Sequence, residues 1–193
     1  MSRLGIALAV FLAGCLAVGI VPSSDPAVKL VQATELFDRR PRPGLAESLI
    51  QEALQIYTER NDQAGLAEAY RVYGFFFRSE SVGRQESLYR KNGFLDREAR
   101  FDARFQRSVH YFQRSQTLFE AQGRDDKLTN VWLNMGFSYE FMTEPRLACA
   151  AYDKSLEAKQ RFQRARPDAR IELPARVTSY EAYIDEHKTR LGC

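Results

Sequence analysis

One eight-residue pattern occurs twice in this chain and restricts its folding more than any other feature. Tyr70-Arg71-Val72-Tyr73-Gly74-Phe75-Phe76-Phe77 aligns without a gap on Trp132-Leu133-Asn134-Met135-Gly136-Phe137-Ser138-Tyr139, and both read aromatic-x-x-apolar-Gly-x-x-aromatic. Apolar positions spaced by three and four residues fall on one face of an α-helix. A glycine inside such a helix costs about 1 kcal/mol relative to alanine, so its place within the pattern calls for a close packing contact. A second pattern occurs three times: Ala46-x-x-x-Ile50-x-x-Ala53, Ser108-x-x-x-Phe112-x-x-Ser115 and Ala148-x-x-x-Tyr152-x-x-Ser155. Each sets small residues where two helices have to approach closely. Stripes such as Leu49, Ile50, Ala53, Leu54 and Tyr57 are separated by polar breaks at 60–63 and 122–126, and no stretch alternates with period two. These features predict an all-α fold of repeated helical hairpins. One hairpin cannot bury its apolar face alone, so about three must stack.

The first pattern is similar to the Trp-x-x-Leu-Gly-x-x-Tyr signature of the tetratricopeptide repeat (TPR), and Ala148, Tyr152 and Ser155 stand where that family carries Ala, Phe and Ala. Leu30, Ala33, Thr34 and Phe37 occupy the same positions of an earlier, degenerate copy that lacks the glycine. The resemblance implies a right-handed α-solenoid of about three units within 27–193. The units lie near 27–66, 67–122 and 129–162, and the middle one carries an insertion at roughly Glu80 to Phe101. Pro174 suits the first turn of a capping helix over 174–191, whose stripe is Val177, Tyr180, Tyr183, Ile184, His187 and Leu191. In the family, the first helices of successive units line a concave groove. Carried across, its positions are Val31 and Glu35; then Arg71, Phe75 and Arg78; then Asn130, Leu133, Phe137 and Glu140. Such a face mixes aromatic rings with arginine, a combination enriched at interface hot spots. The alternative is that Phe75 and Phe137 turn inward as core.

The N-terminal segment does not belong to that fold. Met1-Ser2-Arg3 is a short positive region, Leu4 to Leu12 is uncharged and apolar, and Leu12-Ala13-Gly14-Cys15 resembles the lipobox of bacterial lipoproteins. The resemblance implies a signal peptide over 1–14, diacylglycerol on the Cys15 thiol and an acylated new amino terminus. Two or three acyl chains, at roughly 0.8 kcal/mol per buried methylene, make a durable anchor. An uncleaved membrane helix over Leu4–Val21 and a plain signal peptide remain as alternatives. Leu16 follows the cysteine in place of an acid, which by resemblance to lipoprotein sorting favours the outer membrane, with the domain facing the periplasm. The segment at 15–26, with Pro22-Ser23-Ser24-Asp25-Pro26, would then be a short tether.

Export leaves Cys149 and Cys193 as an even pair in an oxidising compartment. They either bridge, stapling the C-terminal segment to the domain, or remain a buried small hydrophobe and a free thiol. Lysine and arginine outnumber acids only 28 to 25 and are interleaved with them, which argues against nucleic-acid binding. His110 and His187 are the only histidines and lack neighbours at metal-ligand spacing. Gly74 and Gly136 stand alone, Gly-x-Ser-x-Gly is absent, and Asp125-Asp126 is expected in a solvated turn. No catalytic, metal or cofactor site is expected, nor a small-molecule substrate.

What remains is capture of a protein or peptide partner by a membrane-tethered module. The partner is either a toxin delivered to the periplasm, with this chain as immunity protein, or a component of an envelope machine that it helps assemble. An unrecognised envelope hydrolase is the reading from another class. Beside the groove, the insertion offers Tyr89, Arg90, Lys91 and Phe94 as a basic-aromatic binding segment. Its alternatives are a lengthened helix pair with a solvated turn, or docking of its cations on anionic lipid.

Overall fold

The computed structural model describes residues 22–169, 177 and 179–193, and every regular element among them is helical. Cys15, the apolar run before it and Pro174 lie outside the described residues. Among the described residues nine α-helices succeed one another: α1 (Pro26–Asp38), α2 (Pro43–Glu59), α3 (Gln63–Arg78), α4 (Glu80–Arg84), α5 (Glu86–Asn92), α6 (Arg104–Ala121), α7 (Asp125–Phe141), α8 (Pro145–Ala165) and α9 (Tyr180–Leu191). None among the described residues is long and apolar enough to cross a membrane.

Three antiparallel pairs dominate the packing: α1 with α2, α3 with α6, and α7 with α8. Successive pairs meet through α2 against α3 and α6 against α7, and the first helices also touch, α1 on α3 and α3 on α7. The recurrent small positions explain the pairing. Ala46, Ile50, Ala53, Ser108, Phe112, Ser115, Ala148, Tyr152 and Ser155 are all 0% exposed. A Cβ on Gly74 would meet the Phe112 ring at 2.8 Å, and one on Gly136 would meet the Tyr152 ring at 2.3 Å. In both pairs, then, the first helix gives up a side chain to seat the aromatic ring of the second. The degenerate first pair has Thr34 at the glycine position and the smaller Ile50 at the aromatic one.

Polar contacts repeat as well. Ser115 Oγ donates to the Ala67 carbonyl at 2.8 Å, and the matching Ser155 Oγ donates to the Thr129 carbonyl at 2.6 Å. The turn between α2 and α3 passes through Asn61 at φ 50°, and that between α6 and α7 passes through Gly123 at φ 64°. Both are left-handed positions that asparagine and glycine tolerate. Helices α3 and α7 begin about a turn ahead of Ala67 and Thr129, so Asp125 and Asp126 are not in a free turn. They open α7, where carboxylates complement the helix dipole, and they pair with Arg161 at 2.8 Å and Arg124 at 2.6 Å.

Three hydrophobic clusters run along the stack, each drawn mainly from neighbouring helices. The insertion is not a displayed loop. It forms α4, α5 and a 3-10 turn at Phe101–Ala103, and Tyr89, Phe94, Ala99 and Phe101 are buried in the first cluster. The Tyr89 and Phe94 rings stack at 4.2 Å, and Phe94 lies 5.0 Å from the ring of Phe77. Tyr89 and Phe94 are therefore core residues rather than partner contacts. Their apolar area offsets the ordering of an otherwise polar segment.

Buried acids fix the insertion to the body. Glu47 Oε1 on α2 accepts from the Tyr73 hydroxyl at 2.8 Å, the Leu95 amide at 3.0 Å and the Asp96 amide at 3.4 Å. Burial raises the Glu47 pKa above its ordinary value, although these donors oppose the shift. Asp96 accepts from Tyr111 at 2.8 Å and from Arg107 in a two-pronged contact. Burial disfavours its charge, but those bonds outweigh it and the pKa is lowered.

The capping helix begins later than its stripe implies. Ser179 caps α9 by accepting from the Ala182 amide at 3.0 Å, and Val177 lies outside the helix. Tyr180 and Ile184 bury against Leu133, Ala148 and Tyr152. Cys149 and Cys193 are joined in a disulfide, their Cα atoms 6.4 Å apart, which ties the end of the chain to α8.

Candidate functional site

The first helices α1, α3 and α7 present the face to which the groove positions were assigned, and those positions separate into three groups. Val31 is 69% exposed on α1 and Glu35 is half-buried, paired with Arg40 at 3.2 Å. The central group is joined across α3 and α7. Arg71 Nη1 donates to Asn130 Oδ1 at 3.4 Å, and its guanidinium lies 5.3 Å from the centre of the Phe75 ring. Arg78 lies 5.8 Å from Phe75 and 5.2 Å from Phe137, and its Nη2 donates to Asn134 Oδ1 at 2.5 Å. The result is a layer of alternating rings and guanidiniums, with two asparagines on its α7 side.

Phe75 and Phe137 are half-buried and take part in both the core and this layer. One side of Phe75 packs edge-on against Phe112 at 5.2 Å, and Phe137 packs against Tyr152 at 5.8 Å. The two readings of these rings are thus both partly realised. A ring that must fill a hole beneath it and support a cation above it serves both purposes at once.

Two assigned groove residues are engaged elsewhere. Leu133 is buried with Tyr180 and Ile184 under α9, because one position of helical phase turns it from the open face to the capped one. Glu140 is occupied by the cap: it accepts from the Tyr152 hydroxyl, lies 2.7 Å from His187 Nδ1 and sits 3.8 Å from Arg190. His187 also packs against Phe137 with the rings tilted and their centres 4.9 Å apart, so α9 walls one side of the face. His110 is exposed on α6, away from this cluster. In the insertion, Arg90 is satisfied internally by Glu86 at 2.6 Å and by Asp102, while Lys91 is exposed.

Arg78 has an unusual environment. Burial pushes its pKa down to about 10, and the tyrosines near it, Tyr152 and Tyr183, oppose that shift only in part. Among the described residues no carboxylate pairs with it, and its Nε has no hydrogen-bond partner. A buried cation normally finds a counter-ion or is removed. Here ring faces and one asparagine stand in for one. Sequence reasoning missed Asn134, His187 and Tyr183 as members of this layer. The spacing of Asn134, one helical turn after Asn130, was the available signal.

Among the described residues no group of His, Cys, Asp or Glu has the geometry to hold a metal ion. Comparison with protein-family models, with curated proteins and with solved structures gives no match.

Proposed function

We propose that this chain is a TPR-like helical solenoid that binds a segment of another protein across the face of α1, α3 and α7, and that it works tethered to a bacterial outer membrane through Cys15. The observation carrying the binding reading is the Arg71–Phe75–Arg78–Phe137 layer. Aromatic and arginine side chains concentrate binding energy at protein interfaces, because they offer large rigid surfaces and planar donors. Val31, exposed on the same face, adds apolar area at one end. The repeated glycine-into-ring packing supports the TPR reading, and the lipobox-like sequence supports the anchor. The Cys149–Cys193 bridge fits an oxidising compartment such as the periplasm.

The binding reading is tested by affinity capture with the full-length chain from its native envelope, identification of bound proteins by mass spectrometry, and repetition with Val31→Asp and Phe137→Ala. A partner held by the wild type should be lost with both variants, while circular dichroism stays helical. Unchanged capture by both would overturn the groove assignment. For the anchor, Cys15→Ser should abolish incorporation of a fatty-acid probe; persistent labelling would show that Cys15 is not the attachment site.

A further inference from the structure

At the C-terminal ends of α1 and α3, the insertion does more than fill the core. Its first helix, α4, faces the start of α6 and the end of α7 across a cavity of 710 Å³, within the roughly 300–1,000 Å³ range of ligand pockets. Three arginines line it: Arg78 from α3, Arg84 from α4 and Arg104 from α6. Two acids line it as well. Glu80 is engaged by Arg84 at 3.2 Å, and Asp38 is exposed at the rim.

Arg78 and Arg104 share an unresolved chemistry. Neither pairs with a carboxylate among the described residues, and the Nε of each is buried without a hydrogen-bond partner. Each is held by ring faces instead. The Arg104 guanidinium lies 4.0 Å from the Phe105 ring centre and 4.6 Å from that of Phe101, as Arg78 lies against Phe75 and Phe137. Stacking holds the planar group while leaving its edge donors for an in-plane acceptor. Beside the cations is an apolar platform: Phe105 and Phe141 stack at 4.9 Å, and Phe141 is 58% exposed.

We propose that this cavity takes an acidic segment of a partner protein, with two carboxylate side chains reaching Arg78 and Arg104 and an apolar or aromatic side chain between them resting on Phe105 and Phe141. Glu86 and Asp102 act on Arg104 from a distance but are engaged by Arg90, so two cations with no ion pair of their own call for two negative charges. That favours an internal acidic segment over a single chain-end carboxylate. The ring pair, exposed at Phe141, explains why a bare anion would leave the site half-filled. This inference rests on the protein-binding reading above and extends that face through Arg78 into a cavity that α4 of the insertion closes on one side.

The probe is a rhodamine-labelled peptide pool with randomised ends and a core of two aspartates flanking a phenylalanine. It is titrated against the full-length chain in detergent and followed by anisotropy. Matched pools replace the aspartates by asparagine or the phenylalanine by alanine. The acidic aromatic pool should bind at least tenfold more tightly than either control, and Arg104→Gln and Arg78→Gln should each weaken it about tenfold. Because Arg78 is packed between core rings, Arg104→Gln, checked by circular dichroism, and Phe141→Ser at the exposed ring keep the test decisive. Equal binding of the asparagine pool, no effect of Arg104→Gln, or no binding below about 1 mM overturns the proposal. Displacement by tripolyphosphate with equal affinity for the alanine pool also overturns it, in favour of a general anion site. If partner capture is lost with Val31→Asp yet unaffected by Arg104→Gln, the cavity proposal fails while the groove reading stands.

Discussion

Replacing Gly136 by alanine sets two known effects against each other, and the geometry decides the sign. In a helix interior, alanine is favoured over glycine by about 1 kcal/mol. Against that, the added Cβ would lie 2.3 Å from the Tyr152 ring, whereas carbon atoms rest comfortably at roughly 3.5–4.0 Å. The ring would have to retreat by more than about 1 Å in a close-packed interior. Tyr152 is 0% exposed and its hydroxyl is bound to Glu140, so it has little freedom to do so. Overpacking costs about 1–3 kcal/mol, and a displacement this large belongs at the upper end. The net expectation is a loss of about 2 kcal/mol. Gly74→Ala, with its Cβ 2.8 Å from Phe112, should lose less. Gly44→Ala, with nothing within 4 Å at the first turn of α2, should gain about 0.4–1 kcal/mol. Urea unfolding followed by far-ultraviolet circular dichroism gives all three from midpoints at constant slope. In a Tyr152→Leu background the overpacking should disappear and leave the alanine preference of about 1 kcal/mol, a coupling of about 3 kcal/mol. If Gly136→Ala stabilises the chain as Gly44→Ala does, helix pairing by glycine and ring is the wrong explanation for the repeat.

The remaining expectations concern the cap, the insertion and pH. Reducing the disulfide, or Cys193→Ser, opens a loop with a sequence separation of 44 residues; it should cost up to about 4 kcal/mol by the chain-entropy argument, read as a lower urea midpoint with reductant. An unchanged midpoint would mean that the remaining contacts of α9 suffice. Phe94→Ala should cost about 3–5 kcal/mol as a large buried ring, while Leu88→Ala, exposed on α5, should change stability by less than about 0.5 kcal/mol. Similar values for the two would contradict the buried insertion. Burial raises the Glu47 pKa above 4.5 in the folded chain, so the fold binds that proton more tightly than the unfolded chain does. Its contribution to stability is full below pH 4.5 and is lost as pH rises through the raised folded value. Glu47→Gln should therefore flatten the fall in urea midpoint on going from pH 4.5 towards about pH 7; an unchanged profile would place the proton elsewhere. Asp96, lowered below 3.8, acts in the opposite direction. Its contribution is present above pH 3.8 and is lost as pH falls through the folded value, so Asp96→Asn should remove part of the acid sensitivity seen as a rising unfolded fraction below about pH 4.

Local sequence was enough for the helical class, the order of the paired helices and the identity of their contact positions. The reason is that small residues, glycines and rings at three- and four-residue spacings act through nearest neighbours. Ala46, Ser108 and Ala148 could be named as contact positions without coordinates, and each is fully buried. What only the tertiary structure decided was the use of each polar or aromatic residue whose partner is remote in sequence. Tyr89 and Phe94 read as a displayed basic-aromatic segment, yet Phe76, Phe77 and Glu47 draw that segment into the core. Glu140 read as a groove residue, but a helix that begins forty positions later, at Tyr180, brings His187 to it. Arg78 and Arg104 carry no local sign that they form no ion pair, since an unpaired cation is defined by everything that packs around it. Periodicity fixes which face of a helix is apolar; only the assembled stack fixes which charges on the other face are left for a partner.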